Sequence, residues 1–247
     1  MTHVATGAVT VTSLRGSELT PDREEWLVAG MVAALPAMKM TELFATRRDM
    51  FRDADLITVA SQGSDGPAVG VLTSRWVTLP SGRRLLHILT QFVGADHQHG
   101  VTFRRSWAEH FVALHGCGWQ FPEILVLKTY NPIAYCAMGA FSRTPDVTMY
   151  PDVSGVAPDP ATERLAVEVA ETVAAGHPFD PRTGVIKGAG VPRDLYPELP
   201  RSSHPAVNAW FENWVEPGDR VLSMLQVPTR RAAGQILSAL SVAALSA

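Results

Sequence analysis

The residues best suited to chemistry lie between Leu85 and Phe141. An apolar run, Leu85-Leu86-His87-Ile88-Leu89-Thr90-Gln91-Phe92-Val93, leads into Gly94-Ala95-Asp96-His97-Gln98-His99-Gly100, and a helical pattern follows. A loop that leaves a strand and opens a helix offers unpaired backbone N–H groups at the positive end of a helix dipole, so it suits an anion such as a pyrophosphate. His97 and His99 add hydrogen-bond donors, and Gly100 admits a close backbone approach. A second junction has an apolar run from Glu123 to Tyr130, then Asn131-Pro132, with Tyr135 one turn later. The Tyr135 phenol can donate a proton, while His87 and Asp96 can accept one. Each residue has a plainer alternative: an ordinary loop glycine for Gly100, a core or wall aromatic for Tyr135, a helix cap for Asn131, a packed strand histidine for His87.

These residues need a scaffold, and the chain supplies one. Its 247 residues are 46% hydrophobic and 18% charged, enough apolar content to bury a sizeable core. A formal charge of -3 gives no pull toward nucleic acid or an anionic membrane, so neither partner is expected. Cys117 and Cys136 do not make a disulfide framework and fit reduced thiols in a cytoplasmic protein. Met1-Thr2-His3-Val4 lacks the basic start of a signal peptide, and the apolar run from Ile236 to Ala247 is too short to span a bilayer. Asp96, His97 and His99 have no second ligand cluster to complete a metal site, so no metal is expected. There is no Gly-x-Ser-x-Gly elbow, Walker-type loop or Cys-x-x-Cys pair.

Taken in order, the pattern predicts a strand at Ala8–Leu14, a helix capped by Thr20-Pro21, and a second helix over Thr41–Phe51 with Arg47, Arg48 and Arg52 facing water. Strands near Leu56–Ala60, Val69–Val77 and Leu85–Val93, joined by Gly/Pro turns, form an antiparallel meander. Phe103, Trp107, Phe111 and Leu114 mark one face of the next helix. Beyond Ser142 prolines and glycines multiply; Leu165, Val169 and Val173 mark a helix, and 179–200 reads as a long loop. Trp210, Phe211 and Trp214 recur at helical spacing, the pattern of a packed core face, with an interface to a second copy in a homodimer as the alternative.

This order, with the residues at the two junctions, resembles the GNAT superfamily of CoA-dependent acyltransferases over about 8–141 and a late strand at 219–227. The superfamily's Arg/Gln-x-x-Gly-x-Gly/Ala loop aligns with His97-Gln98-His99-Gly100-Val101-Thr102; Gly100 matches, and His97 and Thr102 replace the usual residues. Asn131, Tyr135 and Gly139-Ala140-Phe141 resemble its Asn and Tyr-x-x-x-Gly-Phe. The resemblance implies an α/β (α+β) fold: a mixed, mostly antiparallel twisted sheet flanked by helices. It implies one domain over 1–247, with the Pro/Gly-rich extension 142–217 as lid or pocket wall and a C-terminal helix at 229–245.

It also implies an N-acyltransferase that uses acetyl-CoA or another acyl-CoA as cosubstrate and acts on an amine or hydroxyl of a small molecule. The arm of the acyl-CoA would lie against Leu89, Thr90 and Gln91, and the pyrophosphate against His97, Gln98, His99, Gly100, Val101 and Thr102, with Asn131 beside them. Tyr135 would be the acid, and His87 or Asp96 the base. One alternative keeps the scaffold for a carrier-protein thioester or a bulky small molecule; another is a non-catalytic binding module. The Val101 and Thr102 side chains separate the first two readings: placed over their own N–H groups, they favour the carrier protein.

Overall fold

The computed structural model describes residues 9–98, 101–118 and 120–245. The described residues divide into two compact units, one drawn from Met1–Arg75, Leu89–Phe121 and Leu237–Ala247, the other from Trp76–Ile88 and Pro122–Ile236.

In the first unit, β1 (Val9–Arg15) pairs antiparallel with β2 (Leu56–Gln62) along its whole length, from Val9↔Gln62 to Arg15↔Leu56. Helix α1 (Pro21–Ala34) starts where the sequence indicates: Thr20 Oγ1 accepts from Arg23 N, and Pro21 takes the first turn, where its missing N–H costs nothing. The expected single helix over 41–51 is instead two, α2 (Met40–Thr46) and α3 (Asp49–Arg52). Arg47 leaves helical geometry at φ -127°, and Arg48 Nε donates to the Phe44 carbonyl, which the helix end leaves without a partner. Nor does the basic face simply meet water. Arg48 and Arg52 both hold Glu24, whose side chain is 8% exposed, so the arginines tie the α2–α3 segment to α1.

β3 (Ala68–Thr78) pairs antiparallel with β2, and β4 (Arg84–Val93) follows it through a hairpin. Both strands pass from one unit to the other. The expected amphipathic helix is α4 (Thr102–Gly116), which packs on β1 and β2. Trp107, Phe111 and Leu114 are buried there, each worth about 1.5–3 kcal/mol.

In the second unit, β5 (Ile124–Thr129) lies parallel to β4, the arrangement a helical crossover permits. α5 (Pro132–Gly139) and β6 (Thr148–Tyr150) precede α6 (Pro160–Val173), whose Leu165, Ala166 and Val169 pack with Leu85, Ile124, Val126 and Met224. The 179–200 stretch is not one long loop. It contains β7 (Phe179–Asp180) and β8 (Val185–Ile186), a hairpin of two-residue strands that joins β9 through β8. α7 (Pro205–Trp214) buries Phe211 and leaves Trp214 exposed. β9 (Arg220–Gln226) pairs antiparallel with all of β5, and α8 (Arg230–Leu245), assigned to this unit up to Ile236 and to the first from Leu237, closes the described chain. The architecture is mixed α/β, with a mostly antiparallel open sheet flanked by helices. No helix among the described residues is long and apolar enough to cross a membrane.

Candidate functional site

The strand that opens the candidate loop has one unusual property. β4 pairs with β5 only from Leu86↔Leu125 to Ile88↔Leu127. It then continues through Leu89–Val93 with no β5 partner among the described residues. Over that span burial also falls: Leu85–Ile88 are buried, whereas Leu89, Gln91, Phe92 and Val93 are half-buried. An unpaired strand edge presents N–H and C=O groups that seek a partner. Gln98 Nε2 takes one of them, the Val93 carbonyl, at 3.2 Å.

Gly94 fixes the start of the loop. Its N–H donates to the Val69 carbonyl at 2.7 Å. A Cβ at this position would lie 2.9 Å from Ala34 Cβ and 3.1 Å from Val69 O, so only glycine lets the end of α1 sit this close. Gly30 makes the same approach one turn earlier, where a Cβ would fall 2.6 Å from Ala68 O. A 3₁₀ turn over Ala95–His97 follows; His97 is buried, while Asp96 and Gln98 are exposed. His99 and Gly100 lie outside the described residues.

At the far side of the loop, α4 starts with Val101 at its N-cap, no side-chain cap and no acidic residue in its first turn. Arg104 is exposed there, and Arg105 donates to the Val9 carbonyl. Thr102 does not cover this mouth. It is 3% exposed, and its Cγ2 lies 3.8 Å from where a Gly70 side chain would begin. A helix start presents its first N–H groups at the positive end of the dipole, and here exposed Arg104 stands beside them, features that suit an anion. Leu89, Thr90, Gln91, His97, Gln98, Val101 and Thr102 thus fall together in the first unit, along one strand edge and its loop.

His87, Asn131 and Tyr135 fall in the second unit. His87 is buried on β4 opposite Val126. Asn131 caps α5: its Oδ1 accepts from Ile133 N at 2.8 Å, and the Asn131 N–H donates to Thr129 Oγ1. Tyr135 points into the cluster of Val207, Phe211, Val215 and Val221, edge-on to the Phe211 ring. Its hydroxyl donates to the Pro151 carbonyl at 2.6 Å, and burial raises its pKa above the ordinary phenol value.

Sequence reasoning missed two polar groupings. In the first unit, Ser13, Thr58, His110 and Ser74 form a buried chain of 2.8 Å hydrogen bonds, with one hydroxyl on each His110 nitrogen. Only the inward position of His110 beside Phe111 signalled it. In the second unit, Tyr130 stacks near Tyr196 and beneath Arg220. Next to them, buried Asp219 accepts from Lys187 Nζ, Gly188 N and Glu216 N. Burial alone would raise the Asp219 carboxyl, but these donors outweigh it and hold it below the usual range. Among the described residues, no three His, Cys, Asp or Glu side chains converge as a metal site.

No family model matches the chain, and no curated protein matches it. Solved structures do. An aminoglycoside acetyltransferase from an uncultured soil metagenomic sample is 16% identical, with 55% of this chain and 90% of that one covered at a TM-score of 0.40. An acyl-CoA N-acyltransferase from Pseudomonas aeruginosa is 12% identical, covering 55% and 86% at 0.38. A GNAT family acetyltransferase from Brucella melitensis, in complex with acetyl-CoA, is 15% identical, covering 48% and 75% at 0.35. Each of these likenesses spans about half of this chain.

Proposed function

We propose that this chain is an acyl-CoA-dependent acyltransferase that moves an acyl group to an amine or hydroxyl of a small molecule. The supporting observation is the β4 edge, open from Leu89 to Val93, that runs through a glycine-anchored turn to the uncapped start of α4. An extended arm with amide groups can hydrogen-bond to such an edge as an added strand does. A pyrophosphate at its end would meet the first N–H groups of α4 and Arg104. The inward turn of Thr102 leaves that mouth uncrowded, which supports the nucleotide-bearing ligand over a carrier-protein thioester.

In this reading the amine or hydroxyl attacks the thioester carbonyl, and the C–S bond breaks as the tetrahedral intermediate collapses. A backbone N–H between Leu89 and Gln91 stabilises the oxyanion. Asp96, exposed at the turn, or water takes the nucleophile's proton. The hydrogen of Tyr135 is committed to Pro151, so we assign that side chain to the core beneath α5 and protonation of the thiolate to water. Isothermal titration with CoA and acetyl-CoA tests the reading directly. Saturable binding of both is expected, and binding of neither refutes it.

A further inference from the structure

Gln91 carries a feature that the chain itself leaves unresolved. It lies on the open stretch of β4, three residues past the last β5 pair at Ile88. Leu85, His87, Leu89 and Gln91 share one face of the strand by its two-residue period. Leu85 on that face belongs to a packed core cluster. Gln91 is half-buried, yet its Nε2 atom is fully covered and has no hydrogen-bond partner. A covered amide donor without an acceptor is rare in folded proteins, because it forfeits its bonds to water. The neighbouring polar groups behave otherwise: Gln98, seven residues on, bonds the Val93 carbonyl.

We infer that the Gln91 carboxamide is a ligand-binding donor for an oxygen of the thioester ligand. The inference rests on the acyl-CoA reading above and extends it, because it assigns a side chain where that reading uses only the backbone of β4. The oxygen is a carbonyl or carboxyl acceptor. It has two sources: an amide carbonyl of the pantetheine arm, common to every acyl-CoA, or an oxygen on the acyl group itself.

The test is titration of the parent, Gln91→Leu and Gln91→Glu with three probes: adenosine 3′,5′-bisphosphate, which lacks the arm, CoA, which has it, and malonyl-CoA, which adds an acyl carboxylate. With the arm as source, Gln91→Leu weakens CoA and malonyl-CoA about tenfold each and leaves the bisphosphate unchanged. With the acyl group as source, only malonyl-CoA weakens, and Gln91→Glu weakens it further by placing a second carboxylate beside it. Either pattern supports the inference. Equal binding of all three probes by parent and variants overturns it, as does a parallel loss of all three, which would report a distorted loop.

Thermal melting of the free protein separates ligand recognition from a structural role. Leucine removes an unsatisfied amide, so Gln91→Leu should melt at or above the parent temperature; a lower melting temperature contradicts the inference. A parent chain that binds neither CoA nor the bisphosphate removes the acyl-CoA reading and this inference with it. A parent that binds CoA while the variants match it removes the inference alone.

Discussion

Gly94→Ala tests whether the anchored turn is what makes the loop a binding site. The added Cβ falls 2.9 Å from Ala34 Cβ, about 0.6–1.1 Å inside normal carbon contact. It also falls 3.1 Å from the Val69 carbonyl and 3.4 Å from the Ala34 carbonyl, so two of its three neighbours are backbone and cannot rotate away. The φ of -54° and ψ of 149° at Gly94 suit any residue, so the cost is steric and not conformational. Overpacking of this kind costs about 1–3 kcal/mol. For a chain of this size that lowers the melting temperature by roughly 2–12 °C, and the displaced turn weakens CoA at least tenfold. Adding Ala34→Gly removes the 2.9 Å clash and should recover part of both losses, a coupling that a double-mutant cycle reads directly. Gly116→Ala is the control: it ends α4, has nothing within 4 Å of its Cβ position, and should change neither quantity downward. If Gly94→Ala binds CoA and melts like the parent, the turn is not pinned by this contact, and the structural basis of the proposed site fails.

Tyr135→Phe should keep the parent turnover rate while losing about 1–3 kcal/mol in urea denaturation, because the Pro151 carbonyl loses its partner; a rate loss of tenfold or more without loss of stability would return the phenol to the chemistry. Burial keeps His110 neutral, its pKa pushed down to about 3, whereas the unfolded chain protonates this residue near 6.5. Its contribution is therefore complete above pH 6.5 and falls as the pH drops from there toward 3, reaching a loss of about 2 kcal/mol at pH 5. His110→Leu should flatten that part of the stability–pH curve and cost about 2–4 kcal/mol at pH 7, since the Thr58 and Ser74 hydroxyls lose their common partner; an unchanged slope would show that other groups set the acid response. Glu24→Ala should cost about 1–3 kcal/mol by removing the carboxylate that Arg48 and Arg52 share, with Arg48 left on Glu25, and Glu24→Gln less; a loss under 0.5 kcal/mol in the alanine variant would show that the Glu24 pairs do not hold α1 to the α2–α3 segment.

The parts of this molecule legible in its sequence are those fixed by local pattern. Thr20-Pro21 and Asn131-Pro132 announce helix starts, and both do start helices, because a cap and a proline at the first turn act within three residues. The apolar spacing of α4 and the turns of the meander are equally local. What escaped depends on partners far along the chain. The break between α2 and α3 involves Arg48, whose grip on Glu24 spans 24 residues. The His110 chain joins residues 52 and 36 positions apart. β7 and β8 are two residues each, too short for any alternation to show; they pair with each other, and β8 pairs with β9 more than 30 residues later. Tyr135 sits on the helix its spacing predicts, but spacing does not say which way the phenol points; Phe211, 76 residues later, supplies the surface it packs on.

Thr102 gives the same lesson at the candidate site itself. The sequence leaves open whether its side chain covers the start of α4. The structure turns it inward: Thr102 is buried, and its Cγ2 lies 3.8 Å from where a side chain at Gly70, on a strand 32 positions earlier, would begin. An alanine at Gly70 would meet the Ala60 Cβ and the Phe92 carbonyl, each at 3.3 Å, and so press on β2 and β4, while Thr102 Cγ2 at 3.8 Å stays in ordinary contact. The side chain at the start of α4 is therefore settled by contact with a strand far along the chain and not by the residues next to it.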